Sequence, residues 1–246
     1  MSSRPRSSRD NAVLAVLIGL VLILVVRRHV VRADTLLWLA VLIPSVILHE
    51  VSHGALALLF GDDTAKRAGR LTLNPIPHVD PFGTVILPAI LLLTGAPPFG
   101  WAKPVPVNVR RLRDPRNQSL LVSLVGPAVN VTLAVAAALA LHYARHVSFS
   151  VSGGVLSAPE PLSGANRALL LFGLVNVILA AFNLIPLPPL DGSAVLERLL
   201  PASLWPGYLR LRQYSMLILF AVVFLLPGFL GRVFDPAIHL WGRLLT

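Results

Sequence analysis

Apolar residues gather in six stretches, at about 11–26, 34–60, 81–95, 119–143, 167–190 and 213–231, separated by polar connections. An α-helix rises ~1.5 Å per residue and the hydrocarbon core of a bilayer is ~30 Å thick, so a span takes about 20 apolar residues, with about 17 as the lower bound. The first stretch is marginal by that measure and the third is short. The third also carries Pro88 at its middle and ends in the breaker cluster Gly95-Ala96-Pro97-Pro98. No connection reads as a soluble domain, and no internal repeat stands out. The pattern predicts an all-α polytopic membrane protein with five to six transmembrane helices, divided into an N-terminal helix and loop (1–33), a core (34–200) and a C-terminal helix and tail (201–246).

The connection 64–110 has a different pattern. Residues 99–109, Phe-Gly-Trp-Ala-Lys-Pro-Val-Pro-Val-Asn-Val, alternate apolar with other residues and include two prolines. That predicts an extended edge strand rather than a helix. Together with 81–95 it predicts short strands and a re-entrant hairpin on the cytoplasmic side. Non-helical backbone at membrane depth is tolerated only where protein or a water-filled cavity surrounds it, which a functional cavity would supply.

Composition agrees with a membrane protein: 55% of residues are hydrophobic, 13% are charged and the mean hydropathy is +0.76, more apolar surface than a soluble domain can hide. The chain has no cysteine, which excludes disulfides and thiolate zinc sites and leaves His and carboxylates as metal ligands. The net charge of +10 fits Lys and Arg in cytoplasmic loops beside anionic lipid; no basic helix interleaved with aromatics argues for nucleic acid. Arg4, Arg6 and Arg9 precede the apolar run Ala12–Val26 as in a signal peptide. Arg27, Arg28, His29 and Arg32 follow it instead of a small-residue cleavage site, so the run is expected to be an uncleaved first helix. With a cytoplasmic N-terminus in the plasma membrane and 81–95 re-entrant, 14 of the 21 Lys and Arg face the cytoplasm; if 81–95 crosses, the split is 10 inside and 11 outside. The positive-inside rule favours the re-entrant arrangement.

Within the second apolar stretch stands His49-Glu50-Val51-Ser52-His53. Ionisable groups in hydrocarbon are costly and mark function by default. On a helix His49 and His53 are i and i+4, so both imidazoles leave one face and can share a metal ion. Glu50 lies about 100° round the helix, within reach of a water on that metal; the arrangement is that of two zinc ligands with a general base. A catalytic zinc takes a third protein ligand. The best candidate is Asp191, in Asn183-Leu-Ile-Pro-Leu-Pro-Pro-Leu-Asp191-Gly192 at the end of the fifth stretch, where Pro186, Pro188 and Pro189 break the helix and Gly192 permits a turn. His49 lies toward the C-terminal end of its helix and Asp191 at the C-terminal end of another, so they converge only if both ends face one side. The re-entrant topology puts both at the cytoplasmic side.

Other polar residues have plainer readings. Asn183 is open to a helix–helix hydrogen-bonding role. His142 and His146 are also i, i+4, but flank a helix end beside Arg145 with no acid between them, and are expected at the interface. Asp62 and Asp63, after Gly61, are expected to face solvent. Asn130, in Gly126-Pro-Ala-Val-Asn130, is expected to pack.

Taken together, three motifs resemble the site-2 proteases, intramembrane zinc metalloproteases. They are His49-Glu50-Val-Ser-His53, Gly126-Pro-Ala-Val-Asn130, and Asn183-Leu-Ile-Pro with Leu190-Asp191-Gly192, and the resemblance covers roughly 34–200. The stretches Leu73-Asn-Pro-Ile-Pro-His-Val-Asp-Pro-Phe-Gly-Thr84 and Phe99-Gly-Trp-Ala-Lys-Pro-Val-Pro-Val-Asn108 look like the small bacterial branch, without PDZ or CBS domain. The resemblance implies one Zn2+ on His49, His53 and Asp191, water activated by Glu50, and Asn183 positioning substrate or stabilising the oxyanion. It implies single-pass transmembrane proteins as substrates and a cytoplasmic-side active site. The competing reading is a non-proteolytic metal-binding membrane protein, either a pseudoprotease that holds a partner or an ion transporter. Transporters usually show paired broken helices in two repeated halves, and pseudoproteases typically lose the Glu; neither pattern is present.

Overall fold

The computed structural model describes residues 33–94, 100–144, 150–152, 155–157 and 162–245. The first apolar stretch, 11–26, lies outside them, as do Gly95–Pro98 and His146. The helices in chain order are α1 (Ala33–Leu59), α2 (Thr64–Arg67), α3 (Leu87–Leu93), α4 (Pro115–Leu139), α5 (Gly164–Asn183), α6 (Ser193–Leu199), α7 (Trp205–Arg212), α8 (Ser215–Leu225) and α9 (Pro227–Gly242). Among the described residues, three segments are long and apolar enough to cross a membrane: Leu36–Leu59, Pro115–Tyr143 and Gly164–Asn183. Helices α7 and α8 give a fourth candidate, bent by 67°. The protein is an all-α polytopic membrane protein, as the hydropathy pattern predicts. The third apolar stretch forms a π-helical turn, Pro81–Ile86, running into α3, and is too short for a span.

Among the described residues of 64–110, the expected strands do not form. Residues 101–108 are non-helical but pair in no ladder among the described residues. Their amides bond elsewhere: Lys103 N–H to the His78 carbonyl (2.9 Å), Val105 N–H to Glu50 Oε2 (2.8 Å) and Asn108 N–H to Asp62 Oδ2 (2.6 Å). Pro104 and Pro106 have no N–H to give, so a ladder would miss every second donor on that stretch. The described strands are instead β1 (Ser150–Ser152) and β2 (Val155–Ser157), an antiparallel hairpin with Val151 opposite Leu156.

Contacts divide the chain into two compact units. One holds Asn74–Pro104 with the start of α1 up to Ala40; the other holds Val41–Leu73 and everything from Val105 on. In the first, Asp80 Oδ1 caps the π-helical turn by accepting from the amides of Phe82 (3.1 Å) and Gly83 (2.7 Å). Trp101 then crosses that turn. Its amide donates to the Gly83 carbonyl (3.1 Å) and its carbonyl accepts from the Thr84 hydroxyl (2.9 Å). A Cβ on Gly83 would stand 2.3 Å from the indole, so only glycine admits it.

The second unit is the bundle that carries the chemistry. Its core joins Ala134, Ala138 and Leu141 of the α4 segment to Val177 of α5 and to Trp241 and Leu245 at the C-terminal end. Small residues let the backbones approach. A Cβ on Gly173 would lie 2.2 Å from the Trp241 ring, and the Trp241 indole N–H donates to the Ala134 carbonyl at 2.7 Å. The chain leaves α1 and enters α4 at the same end, where the Arg113 amide donates to the Phe60 carbonyl (3.2 Å).

Asp62 fastens that end. It is buried rather than solvent-facing as expected. Its carboxylate accepts from the Thr64 hydroxyl, from the Thr64 amide at 3.0 Å and from the Asn108 amide at 2.6 Å. Burial pushes its pKa up, but the hydrogen bonds from Thr64 and Asn108, with Arg111 adding a smaller attraction, outweigh it and hold the carboxyl below its usual 3.8. A depressed carboxyl stabilises the fold fully above the usual value and loses that contribution as pH falls through its own lower value. Asp62→Asn therefore unfolds at a lower temperature than wild type at neutral pH. In a thermal-unfolding series in detergent the gap closes as the pH drops below about 3.8; a gap independent of pH contradicts this account.

Candidate metal centre

Helix α1 is continuous through residues 49–53 and delivers both imidazoles to one face. Their Nε2 atoms stand 3.1 Å apart. Each ring is oriented through its other nitrogen: His53 Nδ1–H donates to the Val122 carbonyl at 2.6 Å, and His49 Nδ1–H to Asn130 Oδ1 at 2.6 Å. Both acceptors are on α4. As α1 advances from 49 to 53 its partners step back from 130 to 122, so the two helices are antiparallel. Between them lies Gly126, one turn from Asn130. A Cβ there would be 2.4 Å from His53 Nε2 and 2.6 Å from His49 Cε1, so the glycine makes room for the rings.

Asp191 arrives from α5. That helix ends at Asn183, and the chain then turns through Pro186 and the cis Pro188–Pro189 bond. The Gly192 amide folds back onto the Asn183 carbonyl at 2.6 Å, which closes the turn. A Cβ on Gly192 would be 2.2 Å from the Leu184 carbonyl oxygen. This closed turn sets Asp191 Oδ2 3.1 Å from His49 Nε2 and 3.4 Å from His53 Nε2.

The three atoms fit a metal ion. A tetrahedral zinc with N and O donors at about 2.0–2.1 Å sets its ligand atoms about 3.3 Å apart, and the separations here are 3.1, 3.1 and 3.4 Å. Both ring protons sit on Nδ1, so both Nε2 atoms present lone pairs to one point, the arrangement typical of metal-bound histidine. Asp191 Oδ2 is buried without a hydrogen bond, an orphaned acceptor that a cation would satisfy. His49, His53 and Asp191 form the group of three ligand-type residues, among the described residues, able to hold a metal ion.

Glu50, one residue on from His49, accepts the Val105 amide on its Oε2 at 2.8 Å. Asn183 is turned toward its own helix, donating from Nδ2 to the Leu179 carbonyl at 3.0 Å, while its backbone carbonyl closes the Asp191 turn. Sequence reasoning gave Asn130 a packing role, whereas here it orients His49. The signal was present in the spacing: Gly126 and Asn130 are i, i+4 and share a face. The role of the Val105 amide carries no side-chain signature and was not readable.

A membrane-spanning helix bearing His-Glu-x-x-His, completed by an aspartate from the end of a second apolar helix, defines a zinc metalloprotease centre held in a membrane bundle. Comparison with known proteins agrees. Peptidase family M50 matches residues 37–226, most of the chain. The chain belongs to this family, the site-2 proteases, and is a zinc metalloendopeptidase. It is 40% identical over 186 residues to "Putative zinc metalloprotease YwhC" of Bacillus subtilis, covering 76% of this chain and 78% of that protein. Two proteins called Rip2 carry the same description. That of Mycolicibacterium smegmatis is 30% identical over 196 residues, covering 79% of this chain and 68% of the relative. That of Mycobacterium tuberculosis is 31% identical over 190 residues, covering 77% and 67%. No solved structure matches the chain.

Proposed function

We propose that this protein is an intramembrane endopeptidase that hydrolyses peptide bonds within the transmembrane segments of single-pass membrane proteins. The observation that carries the reading is the position of the triad: His49 and His53 lie inside the span Leu36–Leu59, and Asp191 meets them just past the end of the span Gly164–Asn183. The surrounding membrane is the plasma membrane, with the N-terminus and the ligand-bearing ends of α1 and α5 at the cytoplasmic side, where the positive-inside count places most Lys and Arg.

His49, His53 and Asp191 would hold the zinc. When bound, zinc supplies Lewis-acid polarisation of the scissile carbonyl and of the attacking water. Glu50 takes the proton from that water and passes it to the leaving amine. The Val105 amide fixes the carboxylate for this task, since a hydrogen bond to one oxygen restricts its rotation. Asn183 gives one amide hydrogen to Leu179 and offers the second to the substrate carbonyl as negative charge develops on it.

The test is product mapping. Purified protein in liposomes, given a single-pass reporter, yields fragments whose masses place the cut inside the apolar segment. Cuts confined to the soluble flanks overturn the intramembrane reading while leaving the metalloprotease intact.

A further inference from the structure

Two side-chain amides and a hydroxyl inside the bundle lie in one continuous line from the metal centre. Asn130, which accepts from His49 Nδ1–H, donates from its Nδ2 to Asn176 Oδ1 at 2.7 Å. Asn176 Nδ2 donates to Ser45 Oγ at 2.9 Å and to the Phe172 carbonyl at 2.8 Å. Ser45 Oγ–H donates to the Val41 carbonyl at 2.7 Å. Ser45, Asn130 and Asn176 are each 0% exposed and His49 is 6% exposed, so water replaces none of these partners. The line touches all three long apolar helices: Ser45 and His49 are on α1, Asn130 on α4 and Asn176 on α5.

The direction of every bond in this line is fixed from its far end. The Phe172 carbonyl can only accept, so the group facing it must be the NH2 of Asn176. The Ser45 hydroxyl proton is taken by Val41, so Ser45 also presents a lone pair to that NH2. Asn176 Oδ1 is then forced toward Asn130, which must answer with its own NH2. Asn130 Oδ1 is forced toward His49, whose Nδ1 must carry the proton. The last consequence falls on His49 Nε2, which is left bare and aimed at Asp191 and His53. Either asparagine turned over would set NH2 against NH2 in a dry interior, or leave a buried donor without an acceptor.

We infer that Asn176, anchored by Ser45 and the Phe172 carbonyl, is a positioning residue for the metal centre: it fixes the tautomer and ring orientation of His49 through Asn130. A single packing asparagine has no need of a second one on another helix with matched polarity. The inference rests on the reading of His49 as a zinc ligand. Outer partners of metal-bound histidines typically contribute 10–100-fold in affinity.

The experiment is a double-mutant cycle read by zinc affinity in chelator competition, on full-length protein in detergent. Asn130→Leu and Asn176→Leu each lower zinc affinity about 10–100-fold, and the double variant is no weaker than Asn130→Leu alone, because Asn176 acts only through Asn130. Additive losses, or a zinc affinity within about twofold of wild type for Asn176→Leu, overturn the relay. His49→Ala is the reference: if it too leaves zinc unchanged, the ligand assignment itself has failed. A second measurement needs no core variant. The 15N shifts of His49 in zinc-free wild type, assigned by loss of its signal in His49→Gln, show the Nδ1–H tautomer; an Nε2–H tautomer overturns the inference even if the leucine variants do not fold.

Discussion

Glu50→Gln cleaves a transmembrane reporter about 10²–10⁴-fold more slowly than wild type and still carries one zinc per chain. The substitution isolates one property. Gln keeps the shape of Glu, and its amide oxygen still accepts the Val105 amide that now donates to Glu50 Oε2 at 2.8 Å, so the neighbouring backbone has no reason to move. It removes the ability to take a proton from water and return it to an amine. The three ligand atoms belong to His49, His53 and Asp191, so zinc content does not depend on Glu50. Zinc content by metal analysis and cleavage by gel are read on the same preparation. Cleavage within about tenfold of wild type, below the ~10²-fold expected of a lost general base, would remove Glu50 from that role.

Asp191→Ala loses zinc. Its affinity drops by more than the 10–100-fold typical of an outer partner, because a direct donor is taken away, and cleavage falls to background. The two imidazoles remain oriented by Asn130 and Val122, so they stay poised but incomplete. The aspartate sits after the helix rather than in it, and the turn that carries it is closed by the Gly192 amide on the Asn183 carbonyl, neither of which the substitution touches. Helix content by circular dichroism therefore stays at the wild-type level. Wild-type zinc affinity in this variant would mean that the third donor is another group.

Much of this centre was legible before any coordinates. A His-Glu-x-x-His run inside an apolar helix has few innocent explanations, and Pro186-Leu-Pro188-Pro189 announces an interrupted helix end just before an acid. The helices themselves followed from length and hydropathy, because a bilayer leaves the backbone little choice. Two things were not legible. The alternating pattern of 99–109 signals any segment whose successive residues face opposite sides, and a β-strand is only one of these. Here the backbone donors of residues 103, 105 and 108 go to a carbonyl and two carboxylates, which periodicity does not encode. Nor does a lone asparagine in an apolar helix reveal its partner. Asn176 and Asn130 are 46 residues apart, and only the folded bundle shows that they meet.

The ligand set has a consequence for the bundle as a whole. His53 and Asp191 are far apart along a chain without a single cysteine. An ion held by both would tie the start of the core to its end and restrict the opened chain in the manner of a disulfide closing a long loop. Metal occupancy thus acts as a structural cross-link as well as a catalytic necessity. Removing the ion would therefore loosen the hold between α1 and the turn after α5 as well as strip the centre of its Lewis acid.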